Sequence, residues 1–439
     1  MNTQKKIKPL ILIELNEINF DVAEQYVCNF PGKFQALEKA ISGAKIQTSA
    51  EENYEELEPW IQWVSVHSGM AYCGHQIFRL GDIVGSSIPQ IYEQLEDKGI
   101  KVGCISPMNT ENRLKNPAYF IPDPWTNTSS DSSWWSRHLG ESISQAVNDN
   151  SQSKLTKKSA IYIALGFVRF ANPRHYSLYC KLILRSIRAP WRKALVLDLF
   201  LHDLHKSYFN TFKPGFSVLF LNAGAHIQHH YFLNSVFIKS EEKNQNPSWY
   251  ISSDADPIAE MLEVYDKIIG EYTTNEKTEV LVATGLSQTP YSKVKFYYRL
   301  KDHQDFLKLV GIDFVSVFPR MTRDFLVTFS NKENLECAKK ILKELKINGK
   351  DEPLFREISD RGMELFITLT YPNEICQSDY ISISDKKINI YSHVAFVAIK
   401  NGMHQRKGFA FFTPGIAKFS PKNGDHVKGL YSTILNHFD

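Results

Sequence analysis

FSVLFLNAGAHIQHHYF, residues 216–232, is the stretch whose reading decides the fold. Phe216 to Leu221 is an apolar run of strand length, and such a run marks a strand covered on both faces, as in a parallel sheet. It ends abruptly in His226, His229 and His230. The chain has 14 histidines, and three of them stand just past a buried strand, where open α/β sheets place their ligands. If the segment after the strand is helical, His226 and His230 lie one turn apart on one face, a spacing that lets two imidazoles reach one cation. His229 either shares that face or points away from it. Histidines hydrogen-bonded in a polar loop are the structural alternative.

Working outward, further short apolar runs precede polar loops: Pro9 to Leu15, Val102 to Ile105, Val280 to Ala283 and Val394 to Ile399. Helical patterns such as Ile88 to Lys98 and Ile258 to Tyr272 lie between most of them, the rhythm of a largely parallel sheet flanked by helices. The fold class is therefore α/β. The loops after the runs are polar and rich in Gly and Pro, so a site assembled from several strand ends is expected.

Composition narrows the partners. The 439 residues are 43% hydrophobic, 23% charged and 13% aromatic, an ordered globular composition. A formal charge of +3, with no long basic run carrying interleaved aromatics, argues against nucleic acid. Cys28, Cys73, Cys104, Cys180, Cys337 and Cys376 form no CxxC and no regular framework, which fits reduced thiols and a cytoplasmic protein. The apolar run after Lys8 stops at Glu14, too short for a signal peptide core, and no segment is long enough to span a bilayer.

Two stretches break the rhythm. From Lys154 to Leu197 there are ten Lys or Arg and no Asp or Glu, on an aromatic and aliphatic background. This predicts a basic helical insertion, 154–212, either a solvated cap or a surface that sits peripherally against anionic lipid at the inner membrane face. From 297 to 375, VSVFPRMTRDFLVTF, NLECAKKILKELK and ELFITLTYP predict strand, amphipathic helix and strand, a small α+β insertion. The core α/β domain is then expected at 1–153, 213–296 and 376–439.

A second histidine motif, NGMHQRKG at 401–408, places His404 between glycines that let backbone approach a small ligand. With His226 and His230 it would complete a three-His site with a position open for water or substrate, the arrangement of catalytic zinc.

At this point the chain resembles the alkaline phosphatase superfamily, especially its type I phosphodiesterase/nucleotide pyrophosphatase and sulfatase branches. The resemblance runs in order through LILIELNEINFD (10–21), EPWIQWVSVHSGMAYCGHQI (58–77), FLNAGAHIQHHY (220–231), VLVATGLSQ (280–288) and NGMHQRKG. It implies a three-layer α/β sandwich around a mostly parallel sheet, with metals bound at strand ends. The family's metal histidines are matched at His230 and His404. Its first-strand Asp is replaced by Asn16, its nucleophile by Pro59, its Asp-His pair by Gly285 and Leu286, and the Asp opening its metal loop by His226. One of the two metal sites has thus lost nearly every ligand. The other keeps two His and gains a third, so one divalent metal is expected, zinc by ligand chemistry with manganese as the alternative.

Losing the nucleophile removes the covalent intermediate, so attack would come directly from water or an acceptor hydroxyl. Glu14, Glu17 and Glu58 are the candidate general bases, Glu58 foremost because it borders the former nucleophile position; His229 is a further ligand or proton-transfer group. Candidate substrate contacts are Asn16, Trp60, Gln62, Asn109, Gln288 and Arg406. If Pro59 opens a helix, its N-terminus also favours an anion. Three function classes stay open: a metal-dependent phosphodiester hydrolase or phosphoryl transferase; a transferase of glycan or cell-envelope polysaccharide building blocks, with a lipid-linked substrate suggested by the basic stretch; and an inactive, ligand-binding or partner-binding relative.

Overall fold

A computed structural model describes residues 7–148, 156–238, 245–320, 323–383 and 386–439. Lys154, at the head of the basic stretch, lies outside them.

The chain divides into two compact units, the first formed by Met1–Lys239, Ile251–Pro290 and Gly402–Asp439, the second by Ser240–Tyr250 and Tyr291–Asn401. The first unit is built on strands β1 (Leu10–Leu15), β2 (Ala44–Ser49), β3 (Val102–Ile105), β4 (Tyr119–Ile121), β5 (Phe216–Leu221) and β6 (Glu279–Ala283), joined by the strand Lys407–Phe412. Their order is β2, Lys407–Phe412, β6, β1, β5, β3, β4. β6, β1, β5, β3 and β4 run parallel, and Lys407–Phe412 is antiparallel to both of its neighbours. Every residue of β1, β3, β5 and β6 is buried, which is why these strands read as continuous apolar runs rather than alternating ones. Leu10 and Leu12 pack with Val218, Phe220, Trp63, Val66 and Leu430 in one buried cluster. Glu14 is on that same face by strand alternation.

The apolar run at 394–399 is not a strand of this sheet; Lys407–Phe412 is. Val394–Gln405 instead pairs with Ser287–Leu300. The reason is packing: Ile381, Ile388, Ile390, Val394 and Ile399 share a core with Phe325, Val327, Leu335 and Ile367. Residues 376–401 therefore fall in the second unit, which is larger than the 297–375 segment expected from sequence. That unit carries a four-stranded antiparallel sheet, Ser316–Pro319, Asp324–Thr328, Glu364–Thr368 and Glu357–Arg361, with the helix Lys332–Glu344.

The basic segment forms the helices Lys157–Phe170, Tyr176–Ser186 and Arg192–Phe212. The third belongs to the core, because Leu195, Leu199 and Leu204 are buried and the helix packs against β5. Among the described residues no helix is long and apolar enough to cross a membrane.

Candidate metal centre

The site begins where β1 ends. Asn16 N–H donates to the Leu221 carbonyl (3.1 Å) and Glu17 N–H to the Thr284 carbonyl (3.2 Å), so the turn after β1 is pinned by the chain leaving β5 and β6. Glu17 adopts φ +64°, a left-handed conformation that a non-glycine residue rarely takes without a functional reason. Its backbone carbonyl accepts from Gln228 Nε2 (2.7 Å) and Gln288 N (3.2 Å). Its carboxylate accepts from Gln288 Nε2 (2.6 Å) and Asn16 Nδ2 (3.1 Å).

The stretch that follows β5 is a helix, Ala223–Tyr231. Asn222 provides no side-chain cap. Asp198, from the Arg192–Phe212 helix, accepts the N–H groups of Asn222 (3.2 Å) and Ala223 (2.8 Å) in its place. Burial pushes the Asp198 carboxyl up to about 6, against the pull of Tyr265 and these two N–H groups. His229, near the end of this helix, reaches Glu17.

Three ligand atoms converge. Glu17 Oε2 lies 3.0 Å from His229 Nε2 and 3.0 Å from His404 Nε2, and the two Nε2 atoms are 3.3 Å apart. His229 Nδ1 sits 3.2 Å from the Gly402 carbonyl, which only accepts, so Nδ1 carries a proton; Nε2 either donates a second proton to Glu17 or, with a cation in the cluster, offers it a lone pair. His404 Nδ1 faces Glu58 Oε2 at 3.6 Å, an ion-pair separation beyond hydrogen-bond distance. A divalent ion bound here would take the place of the protons that otherwise join the two Nε2 atoms to Glu17. Ligand atoms about 2.0–2.1 Å from a tetrahedral ion stand roughly 3.3–3.4 Å apart, close to the spacing found. The donor set, two imidazoles and a carboxylate with an outer hydrogen bond orienting His229, suits zinc and would leave a coordination position for water or substrate. Glu17 is 3% exposed while the imidazoles are 19% and 15% exposed, so the open side belongs to the histidines. Burial opposes the Glu17 charge, but His404 and His229 outweigh it and hold the carboxyl well below the usual range.

Gly402 is required for this geometry. A Cβ there would run into Gln288 Oε1 and lie 2.8 Å from the Gln228 carbonyl, pushing aside the Gln288 brace of Glu17 or moving the Gly402 backbone whose own carbonyl orients His229.

Of the histidines proposed from sequence as ligands, His404 is in the triad, whereas His226 and His230 pair with each other, ring centroids 4.8 Å apart. They do share a helix face, as the spacing required, but the triad forms around His229, and His226 is exposed. Glu17, read from sequence only as a general base, stands at the ligand position; its place immediately after a strand end was the available signal. Glu14 is elsewhere: its carboxylate is 2.6 Å from His67 Nε2 inside the core. Glu58 is the N-cap residue of the helix Pro59–Ser68, which has Pro at its first turn and left-handed Gly69 at its end.

The proposed substrate contacts scatter. Gln288 braces Glu17. Asn16 Oδ1 accepts from Trp63 Nε1 (2.9 Å) and its amide donates to Asn222 Oδ1 (2.8 Å), a neutral network where the resembled family has a metal-binding Asp. Trp60 donates to Phe78 O, Gln62 to Glu56 O, and Asn109 joins Gly81 N to Trp60 O, all as internal braces. Arg406 lies against the Ala50 carbonyl and Glu52. A cleft of about 680 Å³ is walled by Pro122–Ser132 and part of the helix Trp134–Asn148, and no triad residue lines it.

No family model matches the chain, and no curated protein does. Among solved structures it is similar to phosphonoacetate hydrolase from Sinorhizobium meliloti 1021 with phosphonoacetate, at 11% identity and TM-score 0.44, over 98% of this chain and 96% of that one. It is also similar to human ectonucleotide pyrophosphatase/phosphodiesterase 5 (10%, TM-score 0.39, 98% and 94%). A further similar structure is a substituted TAB5 alkaline phosphatase with magnesium bound (10%, TM-score 0.41, 98% and 99%).

Proposed function

We propose that the chain is a metal-dependent phosphodiester hydrolase or phosphoryl-type transferase working from a single divalent ion. The observation that carries this reading is the convergence of Glu17 Oε2, His229 Nε2 and His404 Nε2 at 3.0–3.3 Å, with His229 oriented by the Gly402 carbonyl. When bound there, zinc or manganese would polarise a phosphoryl oxygen and acidify a coordinated water. Glu58, beside His404 and at the mouth of the Pro59–Ser68 helix, is placed to take the proton of the attacking water or hydroxyl. Pro59 has no N–H and those of Ile61 and Gln62 donate to the Glu58 carbonyl, so the helix start would aid an anion only through Trp60 N–H and the helix dipole. Pro59 has no hydroxyl, so attack is direct and no covalent intermediate with the chain forms at that position. The neutral Asn16–Trp63–Asn222 network supports one ion rather than two. In this reading the substrate is a phosphorylated small molecule or glycan building block, lipid-linked where the acceptor is a cell-envelope polymer, and the enzyme works in the cytoplasm.

The test is metal analysis of the purified protein together with hydrolysis of bis(p-nitrophenyl) phosphate. We expect about one divalent ion per chain and turnover that chelation abolishes and zinc or manganese restores. Turnover appearing only when a sugar or lipid hydroxyl acceptor is supplied assigns the transferase branch. A protein that holds no divalent metal and takes up neither ion sinks both branches and leaves the ligand-binding relative.

A further inference from the structure

A surface helix of a soluble protein turns its apolar stripe inward and its charges outward. The first two helices of the basic segment turn large apolar residues outward as well, beside their charges. In Lys157–Phe170 the buried residues are Ser159, Gly166 and Phe170. The outward face carries Ile161, Leu165 and Val168, the last 82% exposed, at the three- and four-residue spacing of one stripe. In Tyr176–Ser186 the buried residues are Tyr179, Leu182 and Ser186. The outward face and the residue just past it carry Tyr176, Ile183, Leu184 and Ile187, with Leu184 72% and Ile187 84% exposed. Exposed cations border both stripes: Lys157, Lys158 and Arg169 on the first helix, Lys181 and Arg185 on the second, Arg188 after it. Residues 156–197 contain no Asp or Glu, and none of these six cations forms a salt bridge among the described residues.

We propose that these two helices form a docking surface for an anionic lipid bilayer, an inference independent of the catalytic reading. The apolar stripes enter the boundary between headgroups and acyl chains, and the Lys and Arg side chains reach up to the lipid phosphates. Charge decides the occupant. A second copy meeting this face through a two-fold axis would set its cations against the same cations, a repulsion that an anionic surface turns into attraction. Neither helix is long and apolar enough to cross a membrane, so the association is peripheral.

Co-sedimentation of the full chain with phosphatidylcholine vesicles, with and without phosphatidylglycerol, tests this. We expect binding to the phosphatidylglycerol vesicles that falls as salt is raised. We expect it to weaken roughly 30-fold in Arg185→Ala/Arg188→Ala, since each cation near the surface contributes about one kcal/mol. The triple change Val168→Ser/Leu184→Ser/Ile187→Ser, at exposed positions where circular dichroism should be unaltered, should cost more than about a hundredfold. Absence of binding to phosphatidylglycerol vesicles overturns the proposal, as does equal binding by the triple variant. A dimer in light scattering that the triple variant dissociates, without vesicle binding by the parent, assigns the face to a second copy and likewise overturns it.

Discussion

Two clusters of histidine and carboxylate in the first unit bring three ligand-type atoms within 4.8 Å: Glu17, His229 and His404 at the strand ends, and His175, His202 and Asp203 among the helices. Residue type does not tell them apart. The direction of the imidazole nitrogens does. In the first, His229 Nδ1 is held by a carbonyl, His404 Nδ1 faces a carboxylate at 3.6 Å, and both Nε2 atoms point inward at each other and at Glu17. In the second, His175 spends both nitrogens on carboxylates, Nδ1 to Asp203 and Nε2 to Glu271, each at 2.7 Å. Asp203 also accepts from Tyr179 and Asn172, and Glu271 from Lys206 and His202. Burial opposes the His175 charge, but its bonds to Asp203 and Glu271 lift its pKa to about 9. Burial keeps His202 below its ordinary pKa, in keeping with a neutral ring. In the second cluster His175 is an imidazolium strap joining the basic helices to the helix Pro257–Thr273, although buried His202 Nδ1 has no hydrogen-bond partner among the described residues; in the first, both Nε2 atoms converge on one carboxylate oxygen, as ligands of one cation would.

The sharpest break of this comparison is exchange of one histidine from each cluster. His229→Ala or His404→Ala should lose bound metal and at least about a thousandfold in hydrolysis, because the ion's charge stabilisation disappears with it. His175→Ala should retain the metal. Metal content measured on the three variants decides it, and loss of metal from His175→Ala alone would reverse the assignments. Next in size, Glu58→Gln should keep the metal but slow turnover about a hundredfold or more, with the acidic limb of the pH–rate profile altered; unchanged turnover removes Glu58 as the base.

On stability the order is inverted. His175→Ala leaves Asp203 buried and unbalanced and should cost about 3 kcal/mol in denaturant unfolding, whereas His404→Ala at its half-open site should cost far less. The pH dependence follows. His175 has a raised pKa in the folded chain, so its contribution is complete below about 6.5 and is lost as pH rises through about 9. Glu271 is held low once His175, His202 and Lys206 outweigh its burial, so its contribution is present above about 4.5 and is lost as pH falls. The stability gap between the parent and His175→Ala should therefore be widest between about pH 4.5 and 6.5 and close on both sides. A gap that does not change with pH would mean the strap is uncharged.

Much of the fold was legible. Continuous apolar runs at 10–15, 102–105, 216–221 and 280–283 became parallel strands because a strand covered on both faces leaves no polar positions to confuse the reading. The run at 394–399 looked the same and joined another sheet, since apolarity marks burial without saying in which core. At the site, the helix after β5 and the role of His404 in a cluster were readable from spacing. The choice among His226, His229 and His230 was not: a helix fixes the angle between its own residues, while which face meets Glu17 depends on how Asp198 caps it and how closely Gly402 lets the neighbouring strand approach.

The sequence by itself determined an α/β chain with histidines at strand ends and a basic segment without acids, because local periodicity and residue chemistry are written in neighbouring positions. Only the tertiary structure decided that Glu17 completes the triad, that two imidazoles converge on one carboxylate oxygen in one cluster while His175 spends both nitrogens on carboxylates in the other, and that the apolar stripes of the basic helices face outward. Each of these depends on the orientation of side chains brought together from distant parts of the chain, and orientation is set by packing rather than by order along the sequence.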